Sequence, residues 1–457
     1  MTQRNHVRSA LAAALLLIFL MAPALAQGRR AVLMISIDGM RPDYVTSPAH
    51  HLNIPNLHAM LETGVYADGV RGVLPTVTYP SHTTLITGVW PPKHGIWNNV
   101  VFDPLGLNLE GWYWYTQDIR VPTLWDAATA AHLGVGSVSW PVSVGARSVQ
   151  YLIPEVWRAV TPEDLKLVRA LSTPGLLDEF EPALGPYVSN IEAGVAGDWS
   201  RTRYAERIIR EKHVRFITVH LAALDHIEHQ SGPFSSEANA ALEAIDQMVG
   251  VLAKAMRDET PGAAVCIVSD HGFARIDRQV NLRTAFVKAG LLVPNPHRTG
   301  LRSPALTEWK ADAWSAGGSY FIVLKDPADS ATREAAGKLL ANLAADPANG
   351  IEHVLDRKEI ARLGGDPEAA FAVDLKTGYS AGSALDGPLV RDIKPGGTHG
   401  YSPTHPEMRA AFFMTGDGIR QGSDLGDIDM RSIAPTVAKY LGLPFPSADL
   451  PPLQVGK

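Results

Sequence analysis

The 457-residue sequence is poor in features that mark narrow structural classes. Its single cysteine, Cys266, excludes an internal disulfide. It has no internal repeats, charge blocks or low-complexity tracts, which argues against repeat proteins and disordered tails. The formal net charge of −6 argues against polyanion binding by a general basic surface. We therefore predict no nucleic-acid-binding surface.

After residue 26 the sequence also lacks an apolar run long enough to cross a bilayer. Residues 1–26 have the pattern of a secretory signal: Arg4 and Arg8 precede the apolar run Ala10–Met21, and Ala24–Ala26 offers a cleavage site. A membrane anchor is the alternative, but that apolar run is short for a span of about 20 residues. Cleavage would change the formal charge from −6 to −8, because two arginines and no acid are removed. We predict an exported protein, periplasmic or secreted, with no stable membrane span.

What the sequence does contain suits one large α/β unit with insertions, since 46% of residues are hydrophobic and 19% are charged. Continuous apolar, β-branched-rich runs predict strands buried on both faces of a parallel sheet. These runs are Ala31–Ile37, Val214–Leu221 and Ala263–Val268. The periodic pattern of residues 236–256 predicts an amphipathic helix, and further elements are predicted as a strand over Ala410–Met414 and a helix over Ile433–Leu441. Between residues 278 and 395 the composition loosens, which predicts an inserted α+β subdomain.

Acidic and histidine residues follow the predicted strands. Asp38 ends the first run, Asp225 and His229 follow the second, and Asp270 and His271 follow the third. In open α/β sheets the carboxyl ends of the strands form the ligand-binding edge. Each residue also has an ordinary explanation, because a turn aspartate or a structural histidine is common.

The stretch Gly72–Asn99 places Thr78 where an apolar run ends and a helical pattern begins. A hydroxyl there would face free backbone N–H groups at the positive end of a helix, which favours phosphate binding. By itself, however, Thr78 is more typical of a helix cap.

Together with His399 in a glycine-rich turn, these residues make three aspartates and three histidines. That mixture suits zinc or a similar divalent ion. Six protein ligands suit two metals with three ligands each, and two metals about 4 Å apart can clamp both oxygens of an in-line phosphoryl displacement. Coordination would also activate a threonine hydroxyl.

At this point the sequence resembles the alkaline phosphatase superfamily, and within it the nucleotide pyrophosphatase/phosphodiesterase family (bacterial, type I phosphodiesterase-like). The matching motifs appear in the family's order: Ile35–Gly39, Pro75–His82, Thr87–Gly88, His94–Ile96, Asp225–His229 with Gly232–Pro233, Ser269–Gly272, Thr398–Tyr401 and Arg431–Thr436. The resemblance implies a three-layer alkaline-phosphatase-like α/β fold, with a largely parallel central sheet flanked by helices over residues 27–457.

The resemblance also implies roles for these residues. Thr78 matches the nucleophile that becomes transiently phosphorylated or nucleotidylated, and also a ligand of the nearer metal. Asp38, Asp270 and His271 match the other ligands of that metal, and Asp225, His229 and His399 match those of the second. Asn99 matches a residue that hydrogen-bonds a phosphate oxygen, with the Thr78 N–H beside it. The implied cofactors are two zinc ions, with other divalent ions as alternatives, and the implied substrate is a small phosphodiester or nucleotide.

Two departures leave the specificity open. Glu228 stands where the family has glycine, and Ser81 stands where it has asparagine. The alternatives are a phosphomonoesterase or a lipid- or choline-type phosphodiesterase with the same machinery. A sulfatase lacks support, because the sequence around Thr78 has neither a convertible Cys or Ser nor the expected Arg. A non-catalytic metal-binding export protein is a further alternative, and the leaving group and the oligomeric state stay open.

Overall fold

The computed structural model of the chain describes residues 30–49, 51–108, 111–156, 162–188, 190–297 and 304–456. The predicted signal segment, residues 1–26, lies outside the described residues.

The strands are numbered β1 to β19 in chain order. They are Val32–Ile37, Val65–Tyr66, Gly69–Arg71, Val135–Val138, Tyr151–Ile153, Phe216–Leu221, Ala264–Val268, Ala274–Val280, Leu292–Pro294, Leu306–Trp309, Ala311–Ser315, Ser319–Leu324, Ile351–Leu355, Phe371–Leu375, Gly378–Ala381, Val390–Thr398, Phe412–Thr415, Ser423–Asp424 and Asp427–Asp429.

The α-helices are numbered α1 to α14. They are Asp43–Thr46, Pro55–Thr63, Thr78–Thr87, Pro91–His94, Leu124–Ala130, Pro162–Leu171, Leu176–Leu184, Gly194–Lys212, Ala223–Ser231, Ser236–Glu259, Leu282–Lys288, Ser330–Ala344, Arg357–Arg362 and Ile433–Leu441. Single 3-10 turns occupy Thr116–Asp118, Ile191–Ala193, Pro347–Asn349, Pro406–Met408 and Met430–Ser432.

The main sheet has eight strands in the order β18-β2-β17-β7-β1-β6-β4-β5. Strand β1 pairs in parallel with β6 on one side and β7 on the other, so Val32 lies opposite both Phe216 and Ala264. All three strands are buried along their whole length, as continuous apolar runs require. Strand β17 is antiparallel to β7 and β2. The predicted α/β fold with a largely parallel sheet is confirmed.

Two hydrophobic cores lie on opposite faces of this sheet. Leu33 and Ile35 of β1 pack in one core with side chains from α8 and α10, whereas Val32 and Met34 pack in the other with side chains from α5 and α14. Because successive side chains of a strand point to opposite faces, this alternation makes a three-layer arrangement of helices, sheet and helices.

A third hydrophobic core is built mainly by the chain segment that runs from β8 to just beyond β16. There the chain builds a four-stranded antiparallel sheet, β11-β12-β14-β13, packed with α11 and α12. The subdomain boundaries at residues 278 and 395 stay a prediction. They fall within β8 and β16, two strands that pair with each other in a separate three-stranded sheet.

Sequence patterns identified two of the longer helices. The helix predicted over residues 236–256 is α10, and the closing helix is α14 with the predicted bounds. The helices α6, α7 and α8 were not predicted. In the parts of the chain that the structure describes, no helix combines the length and apolar character that crossing a membrane requires.

Candidate active site

Three neighbouring strands bring predicted ligands to one edge of the main sheet. Asp38 follows β1, and Asp270 and His271 follow β7. Strand β6 leads into α9, whose first turn carries Asp225 and whose last turn carries His229. The strands β7, β1 and β6 are adjacent and parallel, so their carboxyl ends meet at this edge.

One cluster consists of Asp38, Asp270 and His271, and all three are buried. His271 Nε2 lies 3.1 Å from Asp270 Oδ2 and 3.4 Å from Asp38 Oδ1. The hydroxyl of Thr78 lies 3.5 Å from the same nitrogen. The predicted nucleophile therefore borders the cluster to which the family resemblance assigns it.

A second cluster consists of Asp225, His229 and His399. The Nε2 atoms of both histidines lie 3.6 Å from Asp225 oxygens. The rings of His399 and His271 stack with centroids 3.6 Å apart, so the two clusters are direct neighbours. The structure thus groups the six side chains into the two triplets that the resemblance implies.

Each of the three histidines directs its Nδ1 toward a backbone carbonyl. The distances are 3.1 Å from His229 to Gly397, 3.1 Å from His271 to Gly272 and 2.9 Å from His399 to Thr76. In a neutral imidazole, an N–H donated from Nδ1 to a carbonyl leaves Nε2 as the unprotonated nitrogen, and such bonds commonly orient metal-binding imidazoles. All three Nε2 atoms face the clusters.

Glycine makes one of these bonds possible. A Cβ on Gly397 would lie 2.6 Å from the carbonyl oxygen of Glu228 and 2.9 Å from the Phe273 ring. Any side chain at this position would push the strand away from α9, and with it the carbonyl that receives the His229 N–H.

The three aspartates supply a direct test of whether ions fit. Asp38 Oδ1, Asp225 Oδ1 and Asp270 Oδ2 are buried and have no hydrogen-bond partner among the described residues. A buried carboxylate oxygen without a partner is costly, and a bound cation would satisfy it. One such oxygen from each aspartate, joined by imidazole nitrogens, is a donor set suited to zinc. The residues fit two divalent ions.

Several side chains of the two clusters have shifted pKa values, because they are buried and lie close to other charged groups. Burial and the Asp270 carboxylate raise the pKa of Asp38 well above its usual range. Burial acts to raise the pKa of Asp270, but His271, His82 and His220 together outweigh burial and the net shift is downward. Burial acts to lower the pKa of His271, but the carboxylates of Asp270, Asp38 and Asp225 together outweigh burial and raise it to about 9. Burial and His271 hold the pKa of His399 well below its usual range. A cation placed among these groups would relieve the carboxylate repulsion.

Thr78 is the first residue of α3, and the helix-cap interpretation is wrong. The N-cap is Val77, and no side chain caps this helix. As a first-turn residue Thr78 has a backbone N–H without a partner inside the helix. Its hydroxyl is therefore available to a ligand at the positive end of a buried ten-residue helix.

Asn99 lies beside this helix start and is oriented by it. Its Oδ1 accepts a hydrogen bond from the Tyr79 N–H at 2.9 Å. The amide nitrogen is the donor that remains to meet an anionic oxygen near Thr78. Asn98 supports this placement, because its Oδ1 accepts the Asn99 N–H at 2.8 Å and its Nδ2 donates to Ser315 of β11.

Three buried side chains behind the site were missed. His220 of β6 donates from Nε2 to Asp38 Oδ2 at 3.0 Å, and its Nδ1 lies 2.6 Å from Glu155 Oε2. The third is His82, whose Nδ1 lies 2.8 Å from the Thr78 carbonyl and 3.5 Å from Asp270. A histidine in an otherwise apolar buried strand was the signal available for His220, but it does not name a partner.

Glu228, the departure from the family pattern, is also buried beside the site. Its Oε1 accepts a hydrogen bond from the Tyr44 hydroxyl at 2.8 Å, and its Oε2 faces the turn at Gly39. Burial and the charge of Asp225 raise the pKa of Glu228 well above its usual range, against the lowering effect of the Tyr44 bond.

The seven aromatic residues from Phe102 to Trp140 differ in burial. Of the seven, Trp125 and Trp140 are fully buried. The remaining five are Phe102, Trp112, Tyr113, Trp114 and Tyr115, and they are half-buried or exposed. Trp112 and Trp114 stack at 5.5 Å and pack against Tyr79, the neighbour of Thr78. Part of this set therefore forms an aromatic wall next to the site.

The chain belongs to the type I phosphodiesterase / nucleotide pyrophosphatase family, whose model matches residues 32–402. The predicted family is confirmed. Among relatives, ectonucleotide pyrophosphatase/phosphodiesterase family member 1 of Rattus norvegicus is 26% identical over 52% of this chain. That match covers 24% of the rat protein, so the chain spans about a quarter of that relative's length. A pyrophosphatase/phosphodiesterase of Schizosaccharomyces pombe, itself described as uncharacterized, is 25% identical over 90% of this chain and 77% of its own length.

Solved structures agree on the fold. Murine ectonucleotide pyrophosphatase/phosphodiesterase 5 superposes with a TM-score of 0.62 at 19% identity, over 94% of this chain and 98% of that one. An inactive threonine-to-alanine variant of the murine protein, in complex with AMP, superposes with a TM-score of 0.61 at 18% identity, over 94% of this chain and 97% of that one.

Proposed function

We propose that the protein hydrolyses phosphodiester or pyrophosphate bonds of small nucleotide-like substrates through a covalent intermediate on Thr78. The observation that carries this proposal is the position of the Thr78 hydroxyl. It lies at the start of a buried helix, 3.5 Å from His271, beside two adjoining clusters of metal-ligand type. A nucleophile, a positive helix end and cation sites converge on one point, which suits phosphoryl transfer.

Two zinc ions, or other divalent ions, would be held by Asp38, Asp270, His271 and Thr78, and by Asp225, His229 and His399. When bound, such ions lower the pKa of hydroxyl groups and water and neutralise charge on the phosphate oxygens.

The chain's own residues carry the steps. Oγ1 of Thr78 bonds to phosphorus as the bond from phosphorus to the leaving oxygen breaks, and the proton lost by the hydroxyl ends on that leaving oxygen. The oxygen of a water then bonds to the same phosphorus as the bond to Oγ1 breaks, and a proton from the water restores the threonine hydroxyl. The Asn99 amide and the Thr78 N–H donate to the non-bridging oxygens, on which charge develops. Asn99 is a neutral donor and suits the single charge of a diester better than the double charge of a monoester.

Relatives support the substrate class. The relatives in rat, mouse and human carry nucleotide pyrophosphatase/phosphodiesterase in their names. The murine structural neighbour is inactive as a threonine-to-alanine variant, and that variant is in complex with AMP. The aromatic wall of Trp112 and Trp114 beside Tyr79 offers apolar ring faces near the proposed nucleophile. We further propose that the protein acts after export, in the periplasm or outside the cell.

The test is hydrolysis of the p-nitrophenyl ester of thymidine monophosphate. The Thr78→Ala protein should lose at least about 1,000-fold in kcat. Thr87→Ala is the matched control, because it also removes a buried threonine hydroxyl from α3. That hydroxyl donates to the Thr83 carbonyl at 2.7 Å. Undiminished hydrolysis by Thr78→Ala refutes the proposal. A higher kcat/KM for p-nitrophenyl phosphate than for the diester would assign the protein to the phosphomonoesterases.

A further inference from the structure

The two clusters come from different segments, and phosphoryl transfer at a paired site requires a fixed separation between them. Asp38 sits at the end of a strand, whereas Asp225 and His229 sit on α9. Any tilt of α9 relative to β1 would change the separation of the clusters. Buried side chains next to the clusters bear on this problem.

His220 orients the carboxylate of Asp38 in the first cluster. Its hydrogen bond to Asp38 Oδ2 leaves Oδ1 as the oxygen that faces His271. On its other side, Nδ1 lies 2.6 Å from Glu155 Oε2 and 3.1 Å from the Ser139 carbonyl. His220 and Glu155 are both fully buried. The orientation of the Asp38 carboxylate is therefore set by an imidazole whose other nitrogen contacts Glu155 and Ser139.

Asp198 caps α9, the helix that carries Asp225 and His229 of the second cluster. Helix α9 begins after Ala222, a residue whose side chain cannot cap it. Asp198 of α8 supplies the cap instead, since its two oxygens accept the Ala222 and Ala223 N–H groups at 3.1 and 2.9 Å. A carboxylate there also matches the positive end of the helix dipole. The metal-ligand helix is thus anchored through its first turn, next to Asp225.

Arg201 connects Asp198 to Ser139, a residue that contacts His220. Its Nη1 pairs with Asp198, and its Nε donates to the Ser139 hydroxyl at 3.2 Å. Ser139 in turn meets His220 through its carbonyl. Each of these side chains is at least nine-tenths buried, and they come from α8, β6 and the loops after β4 and β5.

From this geometry we infer that His220, Glu155, Ser139, Arg201 and Asp198 form one positioning network that sets the relative placement of the two ligand clusters. None of the five is among the proposed metal ligands or reacting groups. The inference deepens the proposed function and rests on it for the identity of the ions, but its test reads metal binding as well as catalysis.

The experiment measures zinc affinity of chelator-stripped protein by calorimetry, and kcat/KM of the zinc-loaded protein, for His220→Asn, Asp198→Asn and the double variant. Each single variant should lose about 10- to 100-fold in affinity for at least one zinc, as expected when a partner of a metal ligand is removed. Because the network acts as a unit, the double variant should lose less than the product of the two single losses.

Thr218→Val is the matched control. Thr218 lies two residues before His220 on β6, is equally buried, and hydrogen-bonds Ser137 and Trp125 rather than the network. Its zinc affinity should stay within about twofold of wild type. Circular dichroism and Tm establish that each variant is folded, and Asp198→Glu serves as a second, charge-preserving variant if Asp198→Asn does not fold.

Folded variants that bind zinc as wild type does would overturn the inference, and so would losses that multiply in the double variant. If the wild-type protein binds two zinc ions without hydrolysing diesters, the proposed function fails while the affinity measurements still decide the network. If the wild-type protein binds neither zinc nor another divalent ion, both proposals fail.

Discussion

Replacement of Asn99 tests how the site recognises a phosphate, because the structure fixes the orientation of its amide. The Tyr79 N–H bonds to Oδ1, so Nδ2 is the group left to donate to a phosphate oxygen. Asn99→Ala removes that donor, and loss of one preorganised donor to a developing oxyanion costs about 2.7 to 4 kcal/mol. We expect kcat for the nucleotide diester to fall by about 100- to 1,000-fold.

Asn99→Asp is the sharper variant. Its carboxylate still accepts the Tyr79 N–H, so the local backbone stays in place, but it has no donor and carries a negative charge. Two unit charges 4 Å apart at an effective dielectric constant near 20 interact by about 4 kcal/mol. Asn99 is half-buried, so solvent screens part of this repulsion, and we expect at least a further tenfold loss relative to alanine.

The assay is steady-state hydrolysis of the nitrophenyl nucleotide diester, with zinc content measured in parallel. Zinc content should not change, since Asn99 belongs to neither cluster. Asn349→Ala serves as the control, because this half-buried asparagine donates to the Leu343 carbonyl within the antiparallel-sheet region. An Asn99→Asp protein as active as Asn99→Ala, or an Asn99→Ala protein within threefold of wild type, would refute the reasoning.

Three more predictions concern the ions, one histidine and one glycine. Chelation of divalent ions should abolish hydrolysis and lower Tm, and zinc at about 1,000 times its Kd should restore about 4 kcal/mol of stability; full activity in chelated protein would contradict this. Burial acts to lower the pKa of His405, but the hydrogen bond and charge of Asp374, with the charges of Glu352 and Glu407, outweigh burial and raise this pKa above its ordinary value. The stabilisation by the His405–Asp374 pair is therefore complete below the pKa of the histidine in the unfolded state and is lost as pH rises through its pKa in the folded state. Wild type should be more stable than His405→Gln at about pH 6, and this difference in the free energy of unfolding, measured with urea, should shrink by about pH 9. A stability gap that widens with pH would show that the pair is not the cause. Gly397→Ala should cost about 1 to 3 kcal/mol of stability and weaken zinc binding, because its Cβ would lie 2.6 Å from the Glu228 carbonyl. Gly456→Ala, whose Cβ would meet nothing nearer than 3.8 Å, is its control, and equal stability of the two proteins would be the contrary result.

The central strands and the ligand residues were accessible from sequence for one physical reason. A strand buried on both faces must be apolar throughout, so a carboxylate directly after such a run stands out. Asp38 and Asp270 were predicted in this way, Thr78 and His399 came from local patterns as well, and the family resemblance then implied roles for them and for Asn99. Local patterns also predicted α10 and α14, whose apolar stripes follow the helical period.

The surroundings of the site were not accessible. His220 and Asp38 are 182 residues apart in sequence, and Arg201 and Ser139 are 62 apart, so only folding brings each pair together. The burial of each aromatic residue was not accessible either, because a tryptophan that packs on one face and meets solvent on the other has the same local pattern as a core tryptophan.

The sequence by itself predicted the candidate metal ligands and indicated the family to which the chain belongs, because residue chemistry and position after a strand are local features of the sequence. Tertiary structure decided the rest. It made Thr78 the first residue of a helix rather than its cap, it directed three Nε2 atoms into two adjoining clusters, and it placed a buried network behind them. These are distances between segments remote in the chain, and they exist only when the sheet has formed and its strand ends share one edge.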